Sequence, residues 1–162
     1  MTGEQKRTLA LYYCQNVPAS GEKERQDLEE KYGGSIRLFP VPCSGRLDPI
    51  HLLLALEEFA DVVYIITCPE GACRYSEGNK RAKKRVEMTR TIIASIGLEV
   101  ERIGMIIGSK ENPISLADHV RAAMESTLRL PPSPVRNTQA QSDKGTKFAP
   151  VSTSQANCKA YA

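Results

Sequence analysis

The sequence has no long apolar run. Its longest apolar stretches, such as residues 62–67, are far shorter than the roughly 20 residues that cross a bilayer as a helix. The apolar stretch that follows Lys6 and Arg7 is also too short for a secretory signal peptide. We therefore expect no membrane insertion and expect the protein in the cytoplasm, where cysteines are more often metal ligands, catalytic thiols or buried residues than disulfides.

Motifs of independent catalysis are missing as well. The 162 residues contain no GxGxxG, Walker loop, HExxH or Ser-His-Asp pattern. Both histidines, His51 and His119, fall in predicted helices and receive no chemical role. No catalytic residue is assigned.

The charge balance gives little indication of a nucleic-acid partner. The net charge of +3 is small, and no aromatic residues are interleaved with the basic run on the third predicted helix. A solvated helix face is the favoured interpretation of this run, with an acidic partner surface or a bound phosphate as alternatives. The run consists of Lys80, Arg81, Lys83, Lys84, Arg85 and Arg90.

Strand-like and helix-like segments alternate along residues 8–130. The predicted strands are residues 9–13, 36–41, 62–67 and 103–107, and each is followed by a helical segment. This order predicts an α/β fold, a three-layer sandwich with a four-stranded parallel sheet of the flavodoxin or Rossmann type. Residues 131–162 are rich in Pro, Ser, Thr, Gln and Asn, and we expect them to form an extended or disordered tail.

Capping and spacing patterns place the helices more closely. Ser20 is a candidate cap for the first helix, Asp48–Pro49 for the second, and Asn112–Pro113 for the last. The second helix is apolar around most of its circumference, which suggests burial on two sides. The buried face expected for the third helix comprises Ala82, Val86, Thr89, Ile93 and Ile96, and that of the last comprises Ala117, Val120, Met124 and Leu128.

Four of the five cysteines follow the ends of predicted strands. Cys14 ends the first strand, Cys43 follows the second, Cys68 ends the third, and Cys73 lies in the turn just beyond it. All strands of a parallel sheet end at the same edge, where open α/β sheets build their sites. The fold should therefore bring these four thiols together, whereas Cys158 lies in the tail.

Four converging thiols suit zinc or an iron–sulfur cluster, and the spacing alone does not decide between them. Gly45 and Gly71 let the backbone approach sulfur closely, and Arg46 and Arg74 add positive charge beside the thiolates. Buried packing of the cysteines and a thiol–disulfide pair of Cys68 with Cys73 remain alternatives.

The segments PCSGRLDP (42–49), TCPEGACRY (67–75) and GNKRAKKRVE (78–87) resemble the delta subunit of methyl-viologen-reducing hydrogenase, an iron–sulfur subunit that accompanies heterodisulfide reductase-like complexes. The resemblance runs from about residue 9 to residue 107. It implies a [2Fe–2S] cluster and a role in electron transfer within a larger oxidoreductase, as a subunit without catalysis of its own. The implied partners are a heterodisulfide reductase A-like flavin/iron–sulfur subunit, together with a further redox subunit.

Carried onto this chain, the resemblance implies that Cys14, Cys43, Cys68 and Cys73 hold the cluster. Gly45, Arg46, Gly71 and Arg74 would surround it and tune its potential. One motif departs from the family, because its first pattern commonly reads CxxC and here reads Cys14-Gln15-Asn16-Val17. The four remaining cysteines are still the number that a [2Fe–2S] cluster needs. A zinc-binding or metal-free scaffold, or a thiol-redox protein, is the alternative function.

Overall fold

The computed structural model describes residues 6–136, and its centre is a four-stranded sheet. All neighbouring strands are parallel, in the order β2-β1-β3-β4. The strands are β1 (Leu9–Cys14), β2 (Ile36–Val41), β3 (Val62–Thr67) and β4 (Ile103–Ile107). The predicted α/β class with a parallel sheet is confirmed.

Helices cover both faces of the sheet and create two hydrophobic cores. The helices are α1 (Glu22–Tyr32), α2 (Pro49–Glu58), α3 (Gly78–Ser95) and α4 (Leu116–Leu128). Helices α1 and α4 pack on one face through Leu28 and Val120, and α2 and α3 pack on the other through Leu56 and Val86. β1 and β3 are nearly fully buried because they lie in the middle of the sheet.

Three details of the helices differ from the sequence-based expectations or confirm them. The residue that caps α1 is Gly21 rather than Ser20. The last helix begins three residues later than Pro113, because the Ser115 side chain accepts a hydrogen bond from the backbone N–H of Asp118 and caps α4. The Asp48 prediction for α2 is confirmed, since Asp48 and His51 form a reciprocal capping box.

The expected buried faces were also partly wrong. Ile96 is 65% exposed at the end of α3, and Leu128 is 63% exposed at the end of α4. Ala117 is exposed as well, because the core face of α4 is rotated from the predicted one. It is formed by Leu116, His119, Val120, Ala123 and Thr127.

A buried polar network closes the amino-terminal edge of the sheet. The Asp61 carboxylate accepts hydrogen bonds from the backbone N–H groups of Thr8 and Ser133 and pairs with Arg136 at 2.6 Å. The fully buried guanidinium of Arg102 donates to the backbone oxygens of Asp61 and Pro131. Residues 131–136 are thus tied to the edge opposite the strand ends that carry cysteines. The predicted boundary at residue 130 stays a prediction, and most of the predicted tail, with Cys158, lies outside the described residues.

None of the helices within residues 6–136 is both long enough and apolar enough to cross a membrane.

Candidate metal centre

The carboxyl-terminal edge of the sheet brings four cysteines together. Cys14 is the last residue of β1, Cys68 directly follows β3, and Cys43 precedes the 3-10 turn Ser44–Arg46 that follows β2. Cys73 lies between β3 and α3. All four are free thiols, of which three are buried and Cys73 is half-buried. The structure therefore places all four predicted residues at one edge.

The first pair of thiols is formed by neighbouring strands. The sulfur atoms of Cys14 and Cys68 lie 3.0 Å apart, and both residues are nearly inaccessible to solvent. The side-chain amide of Asn16 points its nitrogen at the Cys68 sulfur, 3.7 Å away. Two buried sulfur atoms at this edge thus have an amide donor beside them.

The second pair of thiols, Cys43 and Cys73, lies against the first turn of α3. These two side chains interact directly with each other. A Cβ atom placed on Gly78 would come within 2.4 Å of the Cys43 sulfur and 2.9 Å of the Cys73 sulfur. A Cβ on Gly45 would come within 2.7 Å of the Gly78 Cα atom. The absence of side chains at both glycines is what allows this close packing of backbone against sulfur.

The ionisation of the thiols reflects their surroundings. Burial raises the pKa of Cys68 to about 12, and the adjacent Cys14 thiol adds to the effect. Burial likewise raises the pKa of Cys43, although the backbone of Gly45 opposes it. Burial also works against ionisation of Cys73, but hydrogen bonds from the backbone of Tyr75, Gly78 and Asn79 outweigh it and lower its pKa. Backbone N–H groups at the start of α3 therefore stabilise negative charge on sulfur.

Electrostatic coupling joins the two pairs into one site. Cys73 raises the pKa of Cys68, and Cys68 raises that of Cys43, because negative charge on one sulfur disfavours it on the others. Within the described residues, however, no three His, Cys, Asp or Glu side chains converge on a point that could hold one metal ion. The arrangement is two plus two rather than four around a single centre.

Arg85 fixes the Cys43 loop to α3. Its guanidinium donates to the backbone oxygens of Gly45 at 2.5 Å and Leu47 at 3.0 Å, and it pairs with Asp48 at 3.1 Å. Arg90 is similarly used, since its side chain donates to the backbone oxygen of Ile103. These two members of the basic run are structural, whereas Lys80, Arg81, Lys83 and Lys84 are exposed, as a solvated helix face requires.

The residues predicted to surround the site occupy different environments. Gly45 is buried and touches Gly78, while Arg46 and Arg74 are not covered by the core. Gly71 has a φ of 71°, a left-handed conformation that glycine adopts without strain, in the turn that carries the chain from Cys68 to Cys73. The structure leaves the tuning roles of these residues as predictions.

A cavity of about 350 Å³ lies beside Cys68, between the loops that follow β1, β3 and β4. Asn16, Lys110 and His119 contribute polar groups to its lining. His119 is only 5% exposed, and burial lowers its pKa while the charge of Asp118 opposes this shift. The expectation that His119 lies away from the site edge was therefore wrong, whereas His51 is exposed and serves the capping box.

Sequence reasoning missed the contributions of Gly78, Arg85 and Asn16. Arg85 sits in a run of cations, so its type and spacing do not distinguish it from Lys83 or Lys84. Gly78 follows no turn signature, and its role depends on the approach of a distant loop, at Gly45. Asn16 offered one usable signal, because it lies two positions beyond a cysteine at a strand end.

Comparisons with known proteins place the chain among iron–sulfur subunits. Residues 9–131 match the family described as methyl-viologen-reducing hydrogenase, delta subunit. The chain is 31% identical over 102 residues to the iron-sulfur D subunit of the F420-non-reducing hydrogenase of Archaeoglobus profundus, and the match covers 63% of this chain and 74% of the relative. It is 29% identical over 102 residues to the corresponding vhu iron-sulfur protein of Methanopyrus kandleri, covering 63% and 77%.

A shorter similarity connects the chain with a larger protein. It is 39% identical over 72 residues to the largest-matching segment of the ferredoxin:CoB-CoM heterodisulfide reductase protein HdrA-type (the A subunit) of Methanosarcina mazei. This match covers 44% of this chain but 9% of that protein. A segment related to this chain thus also occurs within a much longer polypeptide.

Proposed function

Because the chain belongs to the methyl-viologen-reducing hydrogenase delta subunit family, we propose that it is an electron-transfer subunit that holds one [2Fe–2S] cluster. The observation that carries the proposal is the pairing of four thiols at one edge of the sheet, Cys14 with Cys68 and Cys43 with Cys73. The names of the relatives as iron-sulfur subunits support an iron–sulfur cofactor.

The donor set fits two irons better than one ion. A [2Fe–2S] cluster takes two protein ligands on each iron, so four cysteines are used as two pairs. A structural zinc ion instead needs four donors arranged as a tetrahedron around one point. The two-plus-two arrangement among the described residues supports the first and disfavours the second.

The surroundings suit thiolate ligands. Metal ligation requires deprotonated sulfur, and the backbone N–H groups at the start of α3 favour that form at Cys73. Gly45 and Gly78 keep side chains out of the space against Cys43 and Cys73. Asn16 provides a donor to Cys68, where burial alone disfavours the thiolate.

When bound, a [2Fe–2S] cluster supplies a carrier for one electron. The role of the chain is then to hold four thiolates, limit their access to water and adjust the potential by hydrogen bonds and charge. Cys73 is the most accessible of the four, so the second pair lies closest to solvent. We place the point of electron entry or exit at this side.

We further propose that the subunit works within a complex. Relatives are named as subunits of F420-non-reducing hydrogenase and of heterodisulfide reductase. By analogy the partners are a heterodisulfide reductase A-like flavin/iron–sulfur subunit, together with a second redox subunit. A cytoplasmic complex agrees with reduced, unpaired cysteines.

The decisive experiment is the iron and sulfide content of anaerobically purified protein. We expect about two iron and two sulfide per chain, and visible absorption that bleaches on reduction. Serine at position 14, 43, 68 or 73 should lower both contents, while the matched variant Cys158→Ser should keep them. Iron-free, colourless protein from a strictly anaerobic preparation would overturn the proposal.

The alternatives give different outcomes in the same experiment. A zinc-binding scaffold would be colourless and unaffected by dithionite, and chelators would destabilise it. A thiol-redox protein using Cys68 and Cys73 needs a thiol of low pKa. Cys73 meets that need, but Cys68 has a strongly raised pKa and lies against Cys14 instead, which disfavours this alternative.

A further inference from the structure

One exposed stripe runs along the whole of α3 and changes character halfway. Residues three or four positions apart lie on the same side of a helix, and this spacing aligns five exposed residues. We call them the α3 stripe, which consists of Arg81, Lys84, Met88, Ile92 and Ile96. Its basic half begins near the cysteine site, and its apolar half points away from it.

The apolar half leaves large side chains in solvent. Met88 is 59% exposed and Ile96 is 65% exposed, with Ile92 between them. On the same face of the sheet, α2 exposes Ile50 and Leu54. Scattered apolar side chains on a surface are normal, but several on neighbouring helices of one layer are typical of a protein interface.

The basic half opposes the stability of its own helix. The first turn of α3 carries no acidic residue, so Lys80 and Arg81 meet the positive end of the helix dipole. Among residues 6–136, neither Arg81 nor Lys84 forms an ion pair, and Lys80 has a long, exposed contact of 3.9 Å with Glu77. Local conflicts of this kind are expected where a surface serves function.

We propose that the α3 stripe, with Ile50 and Leu54, docks a partner protein whose surface has an apolar centre flanked by carboxylates. The inference rests on the proposed role within a complex and names the face used. Opposite charges around an apolar contact steer association and fix its register. The contact would lie next to Gly78, and therefore beside Cys43 and Cys73.

Another copy of this chain fits the stripe poorly. The chain carries a net charge of +3, and a second α3 stripe would bring two more unpaired cations to the contact. Paired in opposite directions, two stripes would press Arg81 against Ile96, burying charge without a partner. An acidic surface satisfies both halves of the stripe.

The test uses photo-crosslinking in the native complex. A photoreactive amino acid replaces Ile96 in a tagged full-length chain expressed in its source, and a matched chain carries it in place of Leu128 on α4, which is equally exposed on the opposite face. We expect the first to crosslink to an Asp- and Glu-containing segment of a different subunit, and the second to give no such product. A second copy of the chain, a lipid or a nucleic acid as the product would overturn the proposal, as would equal crosslinking of both.

Charge reversal provides an independent readout. Arg81→Glu with Lys84→Glu should lower the amount of complex recovered at low salt by about tenfold, because surface charges govern association. The matched pair Lys23→Glu and Lys31→Glu on α1 should leave recovery unchanged. The iron and sulfide per chain should equal those of the unmodified protein, so a loss of iron would overturn the docking role. Stripe-dependent assembly of an iron-free protein would instead refute the proposed cluster and leave the docking surface standing.

Discussion

The sulfur of Cys14 lies 3.0 Å from the sulfur of Cys68, although the two residues are 54 positions apart. Strand order explains the contact, since β1 and β3 are hydrogen-bonded neighbours whose register pairs Tyr13 with Ile66. The chain turns toward β2 after β1 and toward β4 after β3, so this is also the point where the strand order reverses. Ligand sites of open α/β sheets form at such points.

A side chain at position 78 should disrupt the second thiol pair. Gly78→Ala puts a Cβ atom 2.4 Å from the Cys43 sulfur, so the loop or the helix must move. We expect less iron per chain and a free energy of unfolding lower by about 1–3 kcal/mol, as in other overpacked sites. Gly34→Ala is the control, because no atom lies within 4 Å of its Cβ position. Equal iron contents in the two variants would refute the close-packing argument.

Removal of the Arg85 side chain should loosen the Cys43 loop. Arg85→Met loses the hydrogen bonds to Gly45 and Leu47 and the ion pair with Asp48. Hydrogen bonds from charged groups support a decrease of about 1–3 kcal/mol in the free energy of unfolding. Denaturant unfolding of Lys83→Met, an exposed neighbour, gives the comparison. A loss of the same size in both variants would mean that Arg85 acts only as surface charge.

The strand order along the chain and the cysteine edge could be predicted because local patterns determine them. β-branched runs such as residues 62–67 indicate buried strands, and a parallel sheet gathers the strand ends at one edge. The α4 face was mispredicted because leucine and methionine dominated the pattern. The core uses the smaller Ala123 and the polar His119 and Thr127 instead, and Thr127 satisfies its hydroxyl by donating to the backbone oxygen of Ala123.

The pairing of the thiols could not be predicted from sequence. Proximity along the chain suggested Cys68 with Cys73, yet the structure pairs Cys68 with Cys14 and Cys73 with Cys43. This choice depends on how the turn at Gly71 directs the chain and on the packing of Gly45 against Gly78. Such contacts between distant loops leave no periodic signal.

The Asp61–Arg136 ion pair should be a major contribution to stability. Asp61→Ala leaves the buried Arg136 without its partner and removes the acceptor for two backbone N–H groups. Breaking one partner of a buried pair typically costs about 3–5 kcal/mol. Asp27→Ala, on the exposed side of α1, should cost little. Thermal unfolding that is equal for the two variants would contradict the network.

Truncation tests the same network from the other side. A chain that ends at residue 136 keeps the contacts of Ser133 and Arg136 with Asp61, whereas one that ends at residue 130 loses them. We expect the longer chain to unfold at nearly the temperature of the full chain and the shorter one to unfold well below it. The carboxylate of Asp61 explains the difference, because burial of a charge without a partner is costly. Equal midpoints would show that residues 131–136 contribute nothing to the domain.

The stability of the protein should depend on pH through His119. Burial lowers the pKa of His119 in the folded state below its ordinary value of 6.5. The unfolded chain therefore takes up a proton first as the pH falls below 6.5, so stability is complete above this value and decreases toward the folded-state pKa. Chemical unfolding of the protein and of His119→Gln at several values between about pH 5.5 and pH 8 measures the effect, since neutral histidine prevails at the upper end. The difference in unfolding free energy between the two proteins should change as the pH falls, with the unsubstituted protein losing more. A constant difference across this range would mean that His119 is not held in its neutral form by burial.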